Sequence, residues 1–319
     1  RTVTGVQTCA LPISRGGVGG SMSGIAAVRA QGAEAPAWAE DSALADLIGQ
    51  PVLLCQPRKR RTPFIFASPH SGRTYPESFA RAARLDPVTL RKSEDAFVDE
   101  LFDFVPALGA PLLAARFPRA FVDANRAPGE IDPAMFDAPI AAVGPRTARV
   151  AAGLGVIPRI VRDGLEIYRR PLPAGEAAFR LAHFYQPYHA ALARLVSEAR
   201  AAFGVAIVVD CHSMPPPSRS CDIVLGDCHG EAAAETMVDA MQAQLSSLGF
   251  SVARNAPYAG GYTTSLYGRP ADGVHAIQIE LSRALYLDEF RMEKTQGFAH
   301  CKRRLATFVQ DLLARGFSR

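Results

Sequence analysis

The run Gly204-Val205-Ala206-Ile207-Val208-Val209-Asp210-Cys211-His212-Ser213-Met214 constrains the fold more than any other stretch of the chain. From Val205 to Val209 every residue is apolar, and all but Ala206 are Val or Ile. Such a run fits a strand buried on both faces, as in the parallel sheet of an α/β protein. Pro215-Pro216-Pro217 then ends it, because proline has no N–H to give a sheet. The strand thus delivers Asp210, His212 and Ser213 at its carboxyl end, where open α/β sheets place their ligand sites. Taken alone, the same residues fit equally well a strand whose polar end meets solvent.

Two further runs repeat the design. Phe64-Ile65-Phe66-Ala67-Ser68-Pro69-His70-Ser71-Gly72 ends on a second histidine, and His275-Ala276-Ile277-Gln278-Ile279-Glu280-Leu281-Ser282-Arg283 ends on a carboxylate and an arginine. Two histidines, a nearby acid and a free glutamate are the parts of a mononuclear zinc hydrolase. Ser71 and Ser213 follow histidines but lie in no GxSxG turn, which disfavours a serine hydrolase.

At 319 residues and 48% hydrophobic, the chain can bury the core of a large α/β domain. Strands are expected at 111–116, 120–123, 221–227 and 250–253. Helices are expected at 93–106, 175–203 with a kink at Pro187, 231–248 and 288–315. This alternation predicts helices on both sides of a sheet. Residues 127–164 carry several Pro and Gly with little periodicity and fit a lid or binding loop. Asp95, in a helix's first turn, reads either as a helix-dipole complement or as a metal ligand. Arg119 and Arg126 read as forks for a substrate carboxylate or as surface ion pairs. Of the helical histidines His183 and His189, the second has the better chance of reaching the site.

The net charge of +4 is scattered apart from Arg58-Lys59-Arg60-Arg61 and Lys302-Arg303-Arg304, with no aromatic interleaving of the kind that marks a nucleic-acid surface. A small anionic substrate suits the modest excess. Six cysteines without a CxxC pair indicate neither a disulfide framework nor a thiolate zinc site and fit a reducing cytoplasm. No apolar run approaches a membrane span. The Gly-rich stretch 259–264 lacks both the Walker and the dinucleotide patterns. Val3 to Ile13 reads as the translation of a sequencing-library adapter. Residues 1–21 are therefore expected to be an artefact and its join, 22–48 a flexible tail starting at Met22, and 49–319 a single domain.

In their order from about residue 64 to 289, these motifs resemble the N-formylglutamate amidohydrolase family. The likeness is carried by Ser68-Pro69-His70-Ser71-Gly72, Asp95 with Val98 to Leu101, Arg119-Ala120-Phe121-Val122-Asp123-Ala124-Asn125-Arg126 and Gly155-Val156-Ile157-Pro158-Arg159. Pro187-Tyr188-His189, Asp210 to Pro215, Gly260-Gly261-Tyr262, Tyr267-Gly268-Arg269-Pro270 and Gln278-Ile279-Glu280 leading to Arg283 continue it. That family is related in fold to zinc carboxypeptidases and aspartoacylases. The resemblance therefore implies a three-layer α/β/α domain with a mixed, mostly parallel twisted sheet, zinc-carboxypeptidase-like.

It also implies roles. His70, Asp95 and His212 would hold one zinc ion per chain, or another divalent ion, with a fourth position open for water; Asp99 is the weaker choice beside Asp95. Asp210 would support His212 from the same strand face. Glu280 would be the general base and acid, and Arg126 the cation at the oxyanion. Arg119, Asn125, Ser213, Tyr262, Arg269 and Arg283 would contact substrate. The implied substrate is a small anionic N-acyl amino acid, N-formyl-L-glutamate, cleaved to formate and L-glutamate in histidine breakdown. Ser265-Leu266 stands where many members carry Arg-His, which leaves open another N-acyl amino acid or a related amide. A non-catalytic binding relative is the third reading, against which His70, His212 and Glu280 argue.

Overall fold

The computed structural model describes residues 41–141, 143–216 and 221–315, so the expected adapter segment and most of the expected tail lie outside the described residues. Its main strands are β1 (Val52–Cys55), β2 (Phe64–Ser68), β3 (Leu112–Ala115), β4 (Ala206–Met214), β5 (Ile223–Gly226), β6 (Val252–Arg254) and β7 (Val274–Ser282). They form one sheet in the order β1-β3-β2-β4-β7-β5-β6. The centre, β3-β2-β4-β7, is parallel; β1 joins β3 and β5 joins β7 antiparallel, and β6 runs parallel to β5. This is the mixed, mostly parallel sheet between helices that the sequence predicts.

Side-chain alternation divides the core in two. Ile65, Ala67, Leu113, Ala206, Val208, Val274 and Ala276 face the helix Gln186–Phe203 through its Tyr188, Leu192, Leu195 and Ala199. Phe64, Phe66, Ile207, Val209, Ile277 and Ile279 face the helices Glu235–Ser247 and Gly297–Ala314, whose Met241, Leu245, Leu305 and Phe308 are fully covered. Each such side chain contributes roughly 1.5–3 kcal/mol by leaving water. A strand with both faces covered in this way needs the continuous apolar run of β4.

Towards the carboxyl ends of β4 and β7 the first face turns polar. Asp210 and His212 continue the parity of Ala206 and Val208, and the register sets Asp210 beside Gln278 and His212 beside Glu280. All four are buried. The core face of the sheet runs directly into a polar cluster.

Several expected elements differ. Residues 120–123 form a turn, in which the Pro118 carbonyl accepts from the N–H groups of Phe121 and Val122 and Asp123 donates to Val156. Their apolarity reflects a buried loop rather than a strand. The helix expected at 93–106 is broken at Phe97, which takes a left-handed φ of 63°, leaving a helical turn at Val98–Leu101 and a 3-10 turn at Val105–Leu108. The last helix starts at Gly297, because residues before it form a small hairpin of Leu287–Asp288 and Glu293–Lys294. The Gly-rich loop leads into an unexpected helix, Tyr262–Tyr267. Residues 42–48, placed in the tail by sequence, belong to a helix, Ser42–Gly49, that buries Leu44 and Leu47.

Pro187 does not kink its helix in the ordinary way. The segment runs as Gly175–Arg180, a π turn at Leu181–Tyr185, and Gln186–Phe203. Proline removes a donor and crowds the carbonyl four residues back, and one wide turn relieves both. No helix among the described residues is long and apolar enough to cross a membrane.

Candidate active site

His70 leaves the end of β2, and its carbonyl accepts a hydrogen bond from the Asp95 N–H at 3.0 Å, which draws the Asp95 loop across the sheet end. His212 sits near the end of the adjacent β4. The Nδ1 atoms of His70 and His212 both face Asp95 Oδ2, at 3.2 and 2.8 Å. Each ring's other nitrogen meets a separate carboxylate: His70 Nε2 lies 2.7 Å from Asp123 Oδ1 and His212 Nε2 lies 2.9 Å from Asp210 Oδ2. All five residues are buried.

This arrangement fits a metal. A carboxylate on each Nε2 favours the proton there, which turns both Nδ1 lone pairs towards one carboxylate oxygen. Three acceptors held this close repel unless a cation lies among them. The ligand atoms of His70, Asp95 and His212 lie within 4.8 Å of one another. Two imidazoles and one carboxylate, with each ring oriented by a second carboxylate, are a donor set that could hold a divalent metal ion. Asp99 is not part of the group; it pairs with Arg73 at 3.2 Å.

The electrostatics agree. Against the effect of burial, the contacts with the His212 and His70 rings hold the Asp95 carboxyl well below its usual range. Asp123 is likewise held low against burial, by Arg119, His70 and Arg126. Glu280, beside His212 in the register, is pushed up to about 7 by burial, with Asp95 adding to the rise and His212, Arg119 and Arg283 opposing it. A carboxyl poised near neutrality suits proton transfer.

The arginines separate into different roles. Arg283 is saturated: it donates to Glu94 O at 2.6 Å, Asp95 Oδ1 at 3.2 Å, Ser213 Oγ at 3.1 Å, Lys92 O at 3.3 Å and Glu289 Oε1 at 3.2 Å. With Ser213, which donates to the same Asp95 oxygen at 3.3 Å, it fixes the carboxylate instead of offering a free fork. Arg269 pairs with Asp272 at 3.5 Å, before the amino end of β7 and so at the opposite end from Glu280. Arg119 bonds Asp123 at 3.0 Å and feels the charges of both Asp95 and Glu280. Arg126 lies 3.9 Å from Asp123 and donates to the carbonyls of Asn125 and Leu154.

Asn125, expected to contact substrate, is fully engaged. Its Nδ2 donates to Asp210 Oδ2 at 3.2 Å and its Oδ1 accepts from Thr263 N at 2.7 Å. Gly261 makes room for it, since a Cβ there would lie 2.3 Å from Asn125 Nδ2. Gly261→Ala is expected to push Asn125 off Asp210 and lower kcat/KM by about 10–100-fold, the usual loss for a group orienting a metal ligand. Steady-state kinetics alongside a thermal melt checks this, and the melting temperature should also fall, since the displaced amide leaves buried partners unsatisfied.

His189 does reach the site's outer layer. Its Nε2 lies 2.9 Å from Ala124 O and its Nδ1 3.1 Å from Tyr267 OH, with the rings of Tyr185, Tyr262 and Tyr267 around it. Burial depresses its pKa to about 4. As pH falls below the unfolded value of about 6.5, the unfolded chain takes a proton that the folded chain refuses, so stability drops towards acid. The contribution is complete above the unfolded pKa. His189→Gln should flatten this part of the profile, which melting temperatures across the acid range would measure.

Sequence reasoning missed two participants. Asp123 was hidden in an expected strand, although its spacing from Arg119 and Asn125 could have flagged it. Tyr258, exposed, feels the charges of Glu280, Arg119, Arg283 and Asp95.

Comparison with known proteins agrees with this geometry. Residues 62–287 match the family model for N-formylglutamate amidohydrolase. An N-formylglutamate deformylase of Pseudomonas aeruginosa is 30% identical over 241 residues, 73% of this chain and 85% of that one. One from Pseudomonas putida is 28% identical over 72% of this chain and 83% of that one. The crystal structure of N-formylglutamate amidohydrolase from Ralstonia eutropha JMP134 superposes with a TM-score of 0.79 at 36% identity, covering 84% of this chain and 99% of that one. The motifs, the sheet and the extent of these matches together place the chain in the N-formylglutamate amidohydrolase family.

Proposed function

We propose that this protein is a zinc-dependent hydrolase that converts N-formyl-L-glutamate to formate and L-glutamate, a terminal step of histidine breakdown. The observation that carries the reading is the convergence of His70 Nδ1, His212 Nδ1 and Asp95 Oδ2 beside Glu280. The relatives' names support the amide class and the formyl group.

His70, Asp95 and His212 would hold the metal. When bound, zinc supplies Lewis acidity to the carbonyl and acidifies the attacking water. Glu280 takes a proton from that water as the new C–O bond forms. It then returns the proton to the amide nitrogen as the C–N bond breaks, releasing formate and the free amine. A carboxyl with a pKa of about 7 can act in both directions.

The oxyanion role expected of Arg126 passes to Arg119, the arginine that feels both Glu280 and Asp95. Arg126, half-buried and near Asp123, is left to hold a substrate carboxylate. Arg283 and Ser213 steady Asp95, Asn125 steadies Asp210, and Tyr262 closes the aromatic layer. The alternative, another N-acyl amino acid, is favoured by Ser265-Leu266 in the helix beside Asn125. Free thiols at Cys55, Cys211, Cys221, Cys228 and Cys301 support a reducing compartment, the cytoplasm. Comparing formate release from N-formyl-L-glutamate with that from N-formyl amino acids lacking the side-chain carboxylate tests the substrate. A clear preference for the glutamate is expected, and equal rates would point to the alternative.

A further inference from the structure

The helix containing the π turn carries two polar side chains that the reaction does not use. Tyr185 OH donates to Arg126 O at 2.9 Å, and His189 Nε2 lies 2.9 Å from Ala124 O. Tyr185 ends the π turn and His189 follows four residues later, so the two stand one above the other on one helix face. The two carbonyls they hold flank Asn125, the residue whose amide bonds Asp210 and lies 3.0 Å from His212 Nε2. We infer that Tyr185 and His189 are positioning residues, a two-point clamp that fixes the Ala124–Arg126 backbone and, through Asn125, the orientation of Asp210 and His212.

The chemistry of the contacts supports this. A carbonyl oxygen only accepts, so His189 must carry its proton on Nε2, which leaves Nδ1 unprotonated, 3.1 Å from the Tyr267 hydroxyl that donates to the His189 carbonyl. Burial keeps the imidazole neutral, with a pKa of about 4, so the clamp does not switch near neutral pH. The wide π turn supplies the reason for the local geometry. The extra residue in the turn before Pro187 resets the rotation of the upstream segment Gly175–Arg180 relative to the face that carries Tyr185 and His189. Such turns recur at functional sites for this reason.

The inference rests on the reading of His212 as a metal ligand, so its test includes readouts other than turnover. Three variants of the full chain are compared: His189→Leu, His189→Gln and Tyr185→Phe. Zinc affinity by chelator competition, kcat and KM separately, and melting temperature are measured for each. In His189→Leu, zinc affinity and kcat are expected to fall by about 10-fold or more, with KM changing less. In His189→Gln the side-chain amide offers a donor near the Nε2 position, and most of both should return. Tyr185→Phe, which removes one oxygen and keeps the packing, should show a smaller loss of the same kind; it carries the test alone if His189→Leu does not fold. Wild-type zinc affinity and kcat in Tyr185→Phe and His189→Leu would overturn the clamp. So would a His189→Gln as impaired as His189→Leu, which would make the ring a packing element only. If the wild-type chain neither binds zinc nor releases formate, the proposed function fails, and the ¹⁵N shifts of His189 judge the clamp instead. A neutral ring protonated on Nε2 supports it, and any other state contradicts it.

Discussion

Glu280→Gln is expected to lower kcat by about 10²–10⁴-fold, the range that a positioned general acid–base group contributes. Zinc should stay bound, because Glu280 is not among the three converging ligands. Glutamine keeps the shape of the side chain and its neighbour Gln278, which donates to Glu280 Oε1 at 2.7 Å, but cannot take a proton from water. The same variant has a second signature. Burial raises the Glu280 pKa from its ordinary value of 4.5 to about 7 in the folded chain. Between these values the folded state holds the proton that the unfolded state releases, so this group stabilises the metal-free protein below about 4.5. The contribution is lost as pH rises through about 7. Glu280→Gln should therefore make the metal-free protein more stable than wild type at mildly alkaline pH. Full turnover in Glu280→Gln would remove Glu280 from the base role.

The second large effect is expected from His212→Ala. Deleting the ring removes a ligand and leaves Asp95 and Asp210, both buried, without the imidazole that separates their charges. Two carboxylates brought together in a dry site cannot both stay ionised, and one will take up a proton. The loss of zinc affinity should exceed the ~10–100-fold that follows removal of an outer partner. Turnover should fall to background, and metal content of the purified variant by elemental analysis would show the loss directly. Retention of a full equivalent of zinc by a folded His212→Ala would break the ligand assignment. Asp123→Asn makes a graded comparison: it spares all three ligands but weakens the orientation of His70, so it should lower affinity less than His212→Ala.

Much of the site could be read from the chain because a parallel strand buried on both faces has few tolerable polar positions. Asp210, His212 and Glu280 interrupt apolar runs, and an interruption there needs a compensating partner or a function. The same reasoning found His70 at the end of β2. Continuous apolar runs also marked the sheet's central strands.

It failed where burial lacks a period. Residues 120–124 are as apolar as a strand because they are packed from all sides as a loop, and that concealed Asp123. Phe97, Leu101 and Val105 keep helical spacing across a break, because the left-handed Phe97 and the two short turns after it present them to one core. Partnering is also invisible in sequence. Arg283 and Asn125 looked available for substrate until their hydrogen bonds were seen to be complete. Arg119 and Arg126 look alike in sequence and differ only in what surrounds them, which is the basis of the roles proposed for them.

The central claim is that His70, Asp95 and His212 hold a zinc ion with which Glu280 hydrolyses N-formyl-L-glutamate. It is tested most directly by formate release from that substrate before chelation, after chelation and after zinc is restored. The account predicts formate production that disappears with the chelator and returns with zinc. Formate release that persists in fully demetallated protein, or none from protein carrying a full equivalent of zinc, would contradict it.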